Sequence, residues 1–594
     1  MTGILAEYED RLKQRQATLA QADKRAENFG NLRLIIVAAG IASAWYTLWP
    51  ALGISLLLFI AIGVYIQSMT NQLDRARRAI AHYEQSIERT KGNWAGRGNT
   101  SDTQIPPDHL YARDLDLFGP ASLFDLLCQA RTRSGETTLA SWLLSPAPPA
   151  DITFRQSAVK ELSPNLNLRE DLAILGAGNP RQLRAGLLAD WGDAPPTSLA
   201  QAPRRLYQAL AAFGATAAIA LIADVLGAEL PYLRIYYLLM FILCAVILFR
   251  HRLEISHVLS TAEGAAHELD LLAKVLARIE VEQFQSPLLI HLRAQLDING
   301  LPPSRRIAQL RKTMALVDSR DHFLVRLLGP LVLYDLLLAF SLEDWRAQSG
   351  SAMRRWIDSV GEIEALSSLA CYHYENPTDV FPQISTQGVT FTAIQLTHPL
   401  MPRDQAVPND ISLGDPCRAF VVSGSNMSGK STLMRTVGIN AVLAQAGAPV
   451  RATSLILSPL AVGASISTHD SLQGNTSRFY AEILRLRDIM QMAASTTPVL
   501  FLIDEVLSGT NSHDRRIGAA AILKGLVERG AIGLTSTHDL ALTQIVDALA
   551  PRAANVHFED QLIDGQMCFD YKMQPGVVTH SNAIALMRAV GLEV

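Results

Sequence analysis

One stretch constrains this chain more than any other: Gly424-Ser425-Asn426-Met427-Ser428-Gly429-Lys430-Ser431-Thr432. It satisfies G-x-x-x-x-G-K-[ST] at every specified position, directly after the apolar run Ala419–Val422 and before a helix-like segment from Thr432 to Ala446. Strand, loop and helix in that order call for an α/β domain. The glycines let the backbone wrap closely enough for its N–H groups to meet phosphate oxygens, and the helix N-terminus adds a favourable dipole. Gly424 through Thr432 is therefore the candidate ATP-binding loop. Lys430 would reach the outer phosphates, and the Ser431 hydroxyl would ligate Mg2+. The bare pattern arises by chance in roughly a few per cent of chains this long. Its meaning depends on what accompanies it.

A second signal is Pro498-Val499-Leu500-Phe501-Leu502-Ile503-Asp504-Glu505. An apolar run ending in two acids reads as a buried strand delivering carboxylates to the C-terminal edge of a sheet, where open α/β folds bind ligands. Asp504 would hold Mg2+ with Ser431, and Glu505 would act as general base on the attacking water. A third run, Leu534-Thr535-Ser536-Thr537-His538-Asp539, ends near the same edge. His538 there can sense the γ-phosphate or steady the water; a helix-capping Thr/His/Asp cluster is the plain alternative. The fourth signal runs from Asp470 to Glu482, and its polar start leads into a helix-like Phe479–Met490. That places Ser477 at a helix N-terminus, a natural anion site. From about Phe391 the texture is short β-rich runs (Phe391–Leu396, Ala419–Val422, Leu455–Leu457, Val499–Ile503) with helices between the later ones, the pattern of a largely parallel sheet.

The remaining length is apolar in an unusual way. Of the 594 residues 49% are hydrophobic, the formal net charge is −4, and the five cysteines form no C-x-x-C pair. These features argue against a strongly basic nucleic-acid binder, a zinc site and a disulfide framework. From Leu34 to Ile66 no residue is charged, and Trp49-Pro50 interrupts the run. As one helix it would be about 50 Å long, beyond a bilayer core, so it reads as two spans joined by a tight turn, with ends near Phe29 and Asn71. Lys24, Arg25 and Arg33 flank one side and Arg75, Arg77 and Arg78 the other, which puts both flanks in the cytoplasm. The arrangement recurs: Leu206–Ala223 and Ile235–Phe249 are uncharged, with Arg204 and Arg205 before them and Arg250 and Arg252 after. The expectation is a multi-pass protein of a bacterial-type inner (cell) membrane, in contact with lipid, with four spans and with ATPase and termini cytoplasmic. A buried soluble helical hairpin is the bland alternative for each pair.

Residues 4–28 show helical spacing among many charges, and Gly92–Pro107 reads as a linker. Long helical periodicity returns over 253–282 and 304–375, with Leu269, Leu272, Val275, Leu276 and Ile279 on one face that reads as core. The basic clusters Arg305-Arg306…Arg311-Lys312 and Arg354-Arg355 read as solvated helix faces.

Together the motifs resemble the MutS family, ABC-type ATPases of DNA mismatch repair and their relatives. The likeness is carried by the phosphate loop with Asn426-Met427, Ser477-x-Phe479-Tyr480-Ala481-Glu482, Asp504-Glu505 with Gly509-Thr510-Asn511 and Asp514, and Thr537-His538, in family order. It extends to Leu396-Thr397-His398-Pro399-Leu400, to Leu115–Leu162 and to Pro575-Gly576…Ser581-Asn582-Ala583-Ile584. The resemblance implies a nucleotide site completed by a second subunit, in a dimer expected to be homomeric. Ser477 and Asn511 would face the partner's nucleotide, and core helices would act as levers. Residues 1–100 read as helix, membrane hairpin and linker with no Phe-x-Glu wedge, so no mismatch-reading domain is visible and a membrane-anchored subgroup is the nearer comparison. DNA contact, if made, would be to backbone phosphates without evident mismatch readout. The expected fold is α + α/β: membrane helices and a long-helix core domain, then an ABC-type P-loop ATPase domain. Its expected parts are an N-terminal helix (1–28), a transmembrane hairpin (29–71), a helix and linker (72–107), a helical core (108–380) interrupted by a second hairpin (206–250), and the ATPase (381–594). The alternatives are a mismatch or damage sensor in repair, and a transport or membrane-remodelling motor. The latter lacks the L-S-G-G-Q-type signature and any ionisable residue inside a span.

Overall fold

The computed structural model describes residues 2–98, 106, 108–176, 185–225, 227, 231–297, 300–425, 428–466, 478–563 and 566–578. The chain divides into two compact units: residues 1–129, 136–170 and 365–594 form one, and residues 130–135 and 171–364 the other. This division cuts across the sequence-based parts. Residues 108–129 and 136–170, expected in the helical core, belong to the same unit as residues 365–594.

Two sheets organise the first unit. Strands β1 (Gln383–Ile384), β2 (Thr390–Leu396), β3 (Asn409–Gly414) and β5 (Ser454–Leu457) form one sheet in the order β1-β5-β2-β3. The larger sheet contains β4 (Ala419–Ser423), β6 (Ala461–Ser465), β7 (Val499–Ile503), β8 (Ile532–Thr537), β9 (Ala553–Ile563) and β10 (Gln566–Pro575) in the order β10-β9-β4-β8-β7-β6. The five strands from β9 to β6 are parallel and β10 is antiparallel to β9. Every residue of β4, β7 and β8 is buried, because helices cover both faces of a parallel sheet and the strands must be apolar on both sides. Leu486, Ile489, Leu523, Leu526 and Val527 pack against Val421, Phe501 and Ile503 on one face.

The first unit also contains the helices Thr2–Trp45 and Trp49–Thr90. The first runs on without a break through residue 28, where the composition changes from charged to apolar. The pair packs antiparallel: Phe29 lies 4.7 Å from Tyr65 between ring centroids, and the Arg33 guanidinium sits 4.1 Å above the Phe59 ring. Between them Leu34, Ile35, Ile41, Leu57 and Ile60 stay exposed. At the open end of the pair, Tyr8, Tyr83 and Ile87 pack with Leu166 in a small core. A buried ion pair joins this end to the rest: the Arg89 fork meets the Glu375 carboxylate with two contacts of 2.6 Å.

The second unit is helical. Arg204–Val225 and Pro231–Val281 form a second antiparallel pair, in register from Tyr207–His251 (3.1 Å) through Thr216–Tyr236 (2.7 Å) to Asp224–Arg234 (2.9 Å). Pro231 opens the second helix as an N-terminal residue rather than breaking one, since its missing N–H costs nothing there. By length and composition, Arg204–Val225 and Tyr232–Glu263 can cross a membrane; in the first pair Trp49–Gly63 is a shorter apolar stretch. Leu272, Val275, Leu276 and Ile279 are buried as their spacing requires. The basic clusters are only partly solvated. Arg306 is buried and donates to Ser349 Oγ at 3.0 Å, and Arg354 pairs with Asp190 and Asp193.

Candidate nucleotide site

Parallel strands β4, β8 and β7 are adjacent, so the loops after them meet at one edge. The loop after β4 begins at Gly424 (φ 147°), where a Cβ would lie 2.8 Å from Ser428 Oγ and 3.0 Å from the Phe558 carbonyl oxygen. It ends at Gly429 (φ 101°), which caps the helix Lys430–Ala446 in a left-handed conformation that side chains resist. Lys430 is buried and donates to the carbonyls of Gly424 (2.9 Å) and Ser425 (2.6 Å). Burial pushes its pKa below the ordinary lysine value, with Asp504 and Glu505 opposing that shift. Asn426 and Met427 lie outside the described residues, as does Ser477. Thr432 stands in the first turn of the same helix.

The two candidate metal ligands are brought together. Ser431 Oγ donates to Asp504 Oδ2, across from the end of β4 to the end of β7. Among the described residues no group of three or more His, Cys, Asp or Glu could hold a metal unaided. A hydroxyl and one carboxylate suit Mg2+, a hard cation that keeps waters and takes phosphate oxygens as its other ligands.

Ser536, given no role by the sequence reading, organises the acids. Its Oγ donates to Asp504 Oδ1 and accepts the Glu505 N–H at 2.9 Å. Glu505 sits at φ 48° and Leu507 at φ 53°, strained positions for non-glycine residues that need such anchoring. Glu482 is also buried, and its Oε1 accepts the Leu507 N–H at 2.6 Å. Arg515 donates to the carbonyls of Leu507, Ser508 and Thr510. Serine in a run of Thr and Ser carries no distinguishing pattern, and only the register of β7 against β8 reveals it. Replacing Ser536 with alanine is expected to lower turnover by about 10- to 100-fold with ATP affinity little changed, because displacement of a reacting group costs rate more than binding. Steady-state kinetics over a range of ATP and Mg2+ concentrations checks this.

His538 Nδ1 lies 3.6 Å from Glu505 Oε1, too far for a hydrogen bond but close enough for a charged pair. Asn511 is exposed and caps the helix Ser512–Glu528: its Oδ1 accepts the Asp514 N–H at 2.9 Å and its Nδ2 donates to Asp514 Oδ2 at 2.8 Å.

Behind the loop, Arg451 donates to the carbonyls of His398 (2.9 Å) and Met401 (2.6 Å), and its N–H is accepted by Asn440 Oδ1 in the phosphate-loop helix. His398 has its pKa pushed down to about 4, chiefly by burial, with Arg435 and Arg451 adding repulsion. A folded-state pKa below the unfolded value means the unfolded chain binds the proton more readily. Stability is therefore full above the ordinary histidine pKa and drains as pH falls from about 6.5 towards 4. Its upper limit is about 3 kcal/mol. Denaturant titrations at pH 7 and pH 5 should show this loss, and His398→Gln should flatten it.

Residues 420–593 match the family model of MutS domain V. "DNA mismatch repair protein MutS 2" of Halobacterium salinarum is 33% identical over 251 residues, 41% of this chain and 28% of that protein. "Endonuclease MutS2" of Thermus thermophilus is 34% identical over 213 residues, 34% of this chain and 27% of that protein. "DNA mismatch repair protein MutS" of Lactobacillus johnsonii is 30% identical over 248 residues, 41% of this chain and 28% of that protein. The matches thus span little more than a quarter of each relative. The likeness to the MutS family thus rests on residues 420–593 and on the matched quarter of each relative.

Proposed function

We propose that this chain is a membrane-anchored MutS-like ATPase that binds Mg-ATP at a site completed by a second subunit and couples the nucleotide state to its helices. The observation that carries the ATPase reading is the Ser431–Asp504–Ser536–Glu505 cluster at the ends of three adjacent strands. Lys430 and the N-terminus of its helix hold the phosphates, while Ser431 and Asp504 hold Mg2+. Bound there, the ion would neutralise developing charge on the phosphates. Glu505, fixed through its N–H by Ser536, accepts the proton of the attacking water, and His538 steadies Glu505 or reads the γ-phosphate. Asn511 is exposed beside this edge, as a residue meeting a partner's nucleotide must be. The partner's Ser477 segment completes the site.

Support for the membrane anchor is the outward-facing apolar surface of both helix pairs, with the arginines at their flanks except Arg234, which pairs with Asp224 at the turn of the second pair. Membranes carrying the protein, washed in alkaline carbonate and floated on a density gradient, should retain it in the lipid layer. Release as a soluble species contradicts the anchor. The relatives' names favour a second reading, a DNA mismatch or damage sensor. Salt-dependent binding to matched and mismatched duplexes separates the two: tighter binding to the mismatch supports the sensor, and equal affinity removes it.

A further inference from the structure

We infer that a third segment enters the bilayer beside the second helix pair: the apolar turn Phe323–Leu333, a re-entrant finger that touches lipid from the cytoplasmic side. This rests on the membrane reading of that pair. The segment reads Phe323-Leu324-Val325-Arg326-Leu327-Leu328-Gly329-Pro330-Leu331-Val332-Leu333, with one charge in eleven residues. It forms a short helix, Phe323–Leu328, then a tight turn, and returns by the helix starting at Tyr334.

Its seat sets its depth. Cys244 Sγ donates to the Leu331 carbonyl oxygen at 3.3 Å, and Gly214 is so close that any Cβ there would collide with that same oxygen. Leu331 is buried among Ala217 and Ala218, with Leu328, Tyr236 and Tyr237 packed around them. Gly214 and Cys244 are each seven residues beyond the Tyr207–His251 contact, which stands beside the flanking arginines. At helical rise that is about 10 Å further along the pair, past the headgroup boundary if the pair spans a bilayer. The returning helix follows the same level back, since Phe340 stacks on Tyr207 at 6.1 Å.

Two further observations fit lipid rather than water as the neighbour. The turn satisfies its own backbone: N–H groups of Gly329, Leu331, Val332, Leu333 and Tyr334 donate to carbonyls of Val325, Leu328, Gly329, Pro330 and Gly329. Irregular backbone survives at membrane depth only when it is paired in this way. The outer side of the finger is apolar and uncovered, with Phe323 75% and Leu327 53% exposed. On the helix pair itself Phe213, Leu239 and Phe241 are exposed as well. Arg326, exposed on the short helix, has the length to snorkel to headgroup phosphates.

The test uses the full chain in phosphatidylcholine–phosphatidylglycerol vesicles, with its native cysteines replaced and one fluorescent label at Leu327→Cys. Leu238→Cys on the helix pair and Ile290→Cys on the helix Pro287–Leu296 serve as references, and retained ATP binding certifies folding. Lipids carrying a quencher in the acyl chain should quench the label at Leu327 about as strongly as at Leu238, and leave Ile290 unaffected. Quenching at Leu238 with none at Leu327 overturns the finger and keeps the anchor. Quenching at neither overturns both.

Discussion

Replacing Glu505 with glutamine should abolish steady ATP turnover while leaving Mg-ATP bound, a fall of about 10²- to 10⁴-fold in kcat. The glutamine side chain fills the same space and keeps its N–H on Ser536 Oγ, so strand β7 and the strained turn after it are undisturbed. What it loses is the carboxylate that accepts a proton from water. Lys430→Ala should fail differently. The Lys430 ammonium is buried at the head of its helix, and without it the phosphates lose their charged partner, so binding itself should collapse. Phosphate release assayed beside equilibrium binding of a fluorescent ATP analogue distinguishes the two. Equal turnover in wild type and Glu505→Gln would remove Glu505 from the chemistry.

The second large effect is on stability and falls far from the nucleotide. Arg89 and Glu375 form a two-pronged pair with side chains only 10% and 4% exposed, and Tyr8 Oη adds a bond to Glu375 at 3.2 Å. Removing one partner of such a pair strands a charge in a poorly solvated place, at about 3–5 kcal/mol. Glu375→Ala should therefore destabilise the first unit by that amount, all the more because Arg169 is also buried nearby, 3.4 Å from Tyr8 Oη. The double replacement Arg89→Met, Glu375→Leu should cost far less than the two singles together, since it leaves no buried charge behind. Denaturant unfolding monitored by fluorescence gives the four values. Additive losses would show that the pair contributes nothing as a pair.

The strands that form the nucleotide edge are legible in the sequence because buried parallel strands are apolar along their whole length. Val499–Ile503 is a strand over the residues its apolar run marks, and Ala419–Val422 gains only Ser423. Strands with weaker patterns were not visible. Asn409–Gly414 is an edge strand with only Ile411 and Leu413 buried, Ala461–Ser465 is built of small residues, and the β9–β10 hairpin carries charge along its length. The helix Lys430–Ala446 starts two residues before its apolar pattern does, because Gly429 supplies the cap. Long-range pairing is the other blind spot. Nothing in the sequence near residue 89 points to residue 375, and Ser536 gains its role only from lying on β8 beside Asp504 at the end of β7. The apolar turn Phe323–Leu333 is hidden in a stretch of helical periodicity, since Gly329-Pro330 interrupts it for only a few residues.

The composite site is the central claim, and mass in solution tests it most directly. Detergent-solubilised Glu505→Gln protein, examined by size-exclusion chromatography with multi-angle light scattering, should be a stable dimer in Mg-ATP and dissociate when ADP replaces it. Adding Asn511→Ala should weaken the ATP-bound dimer while each chain still binds nucleotide. A monomer that holds ATP at full occupancy, with the same mass in ATP and ADP, would contradict the account.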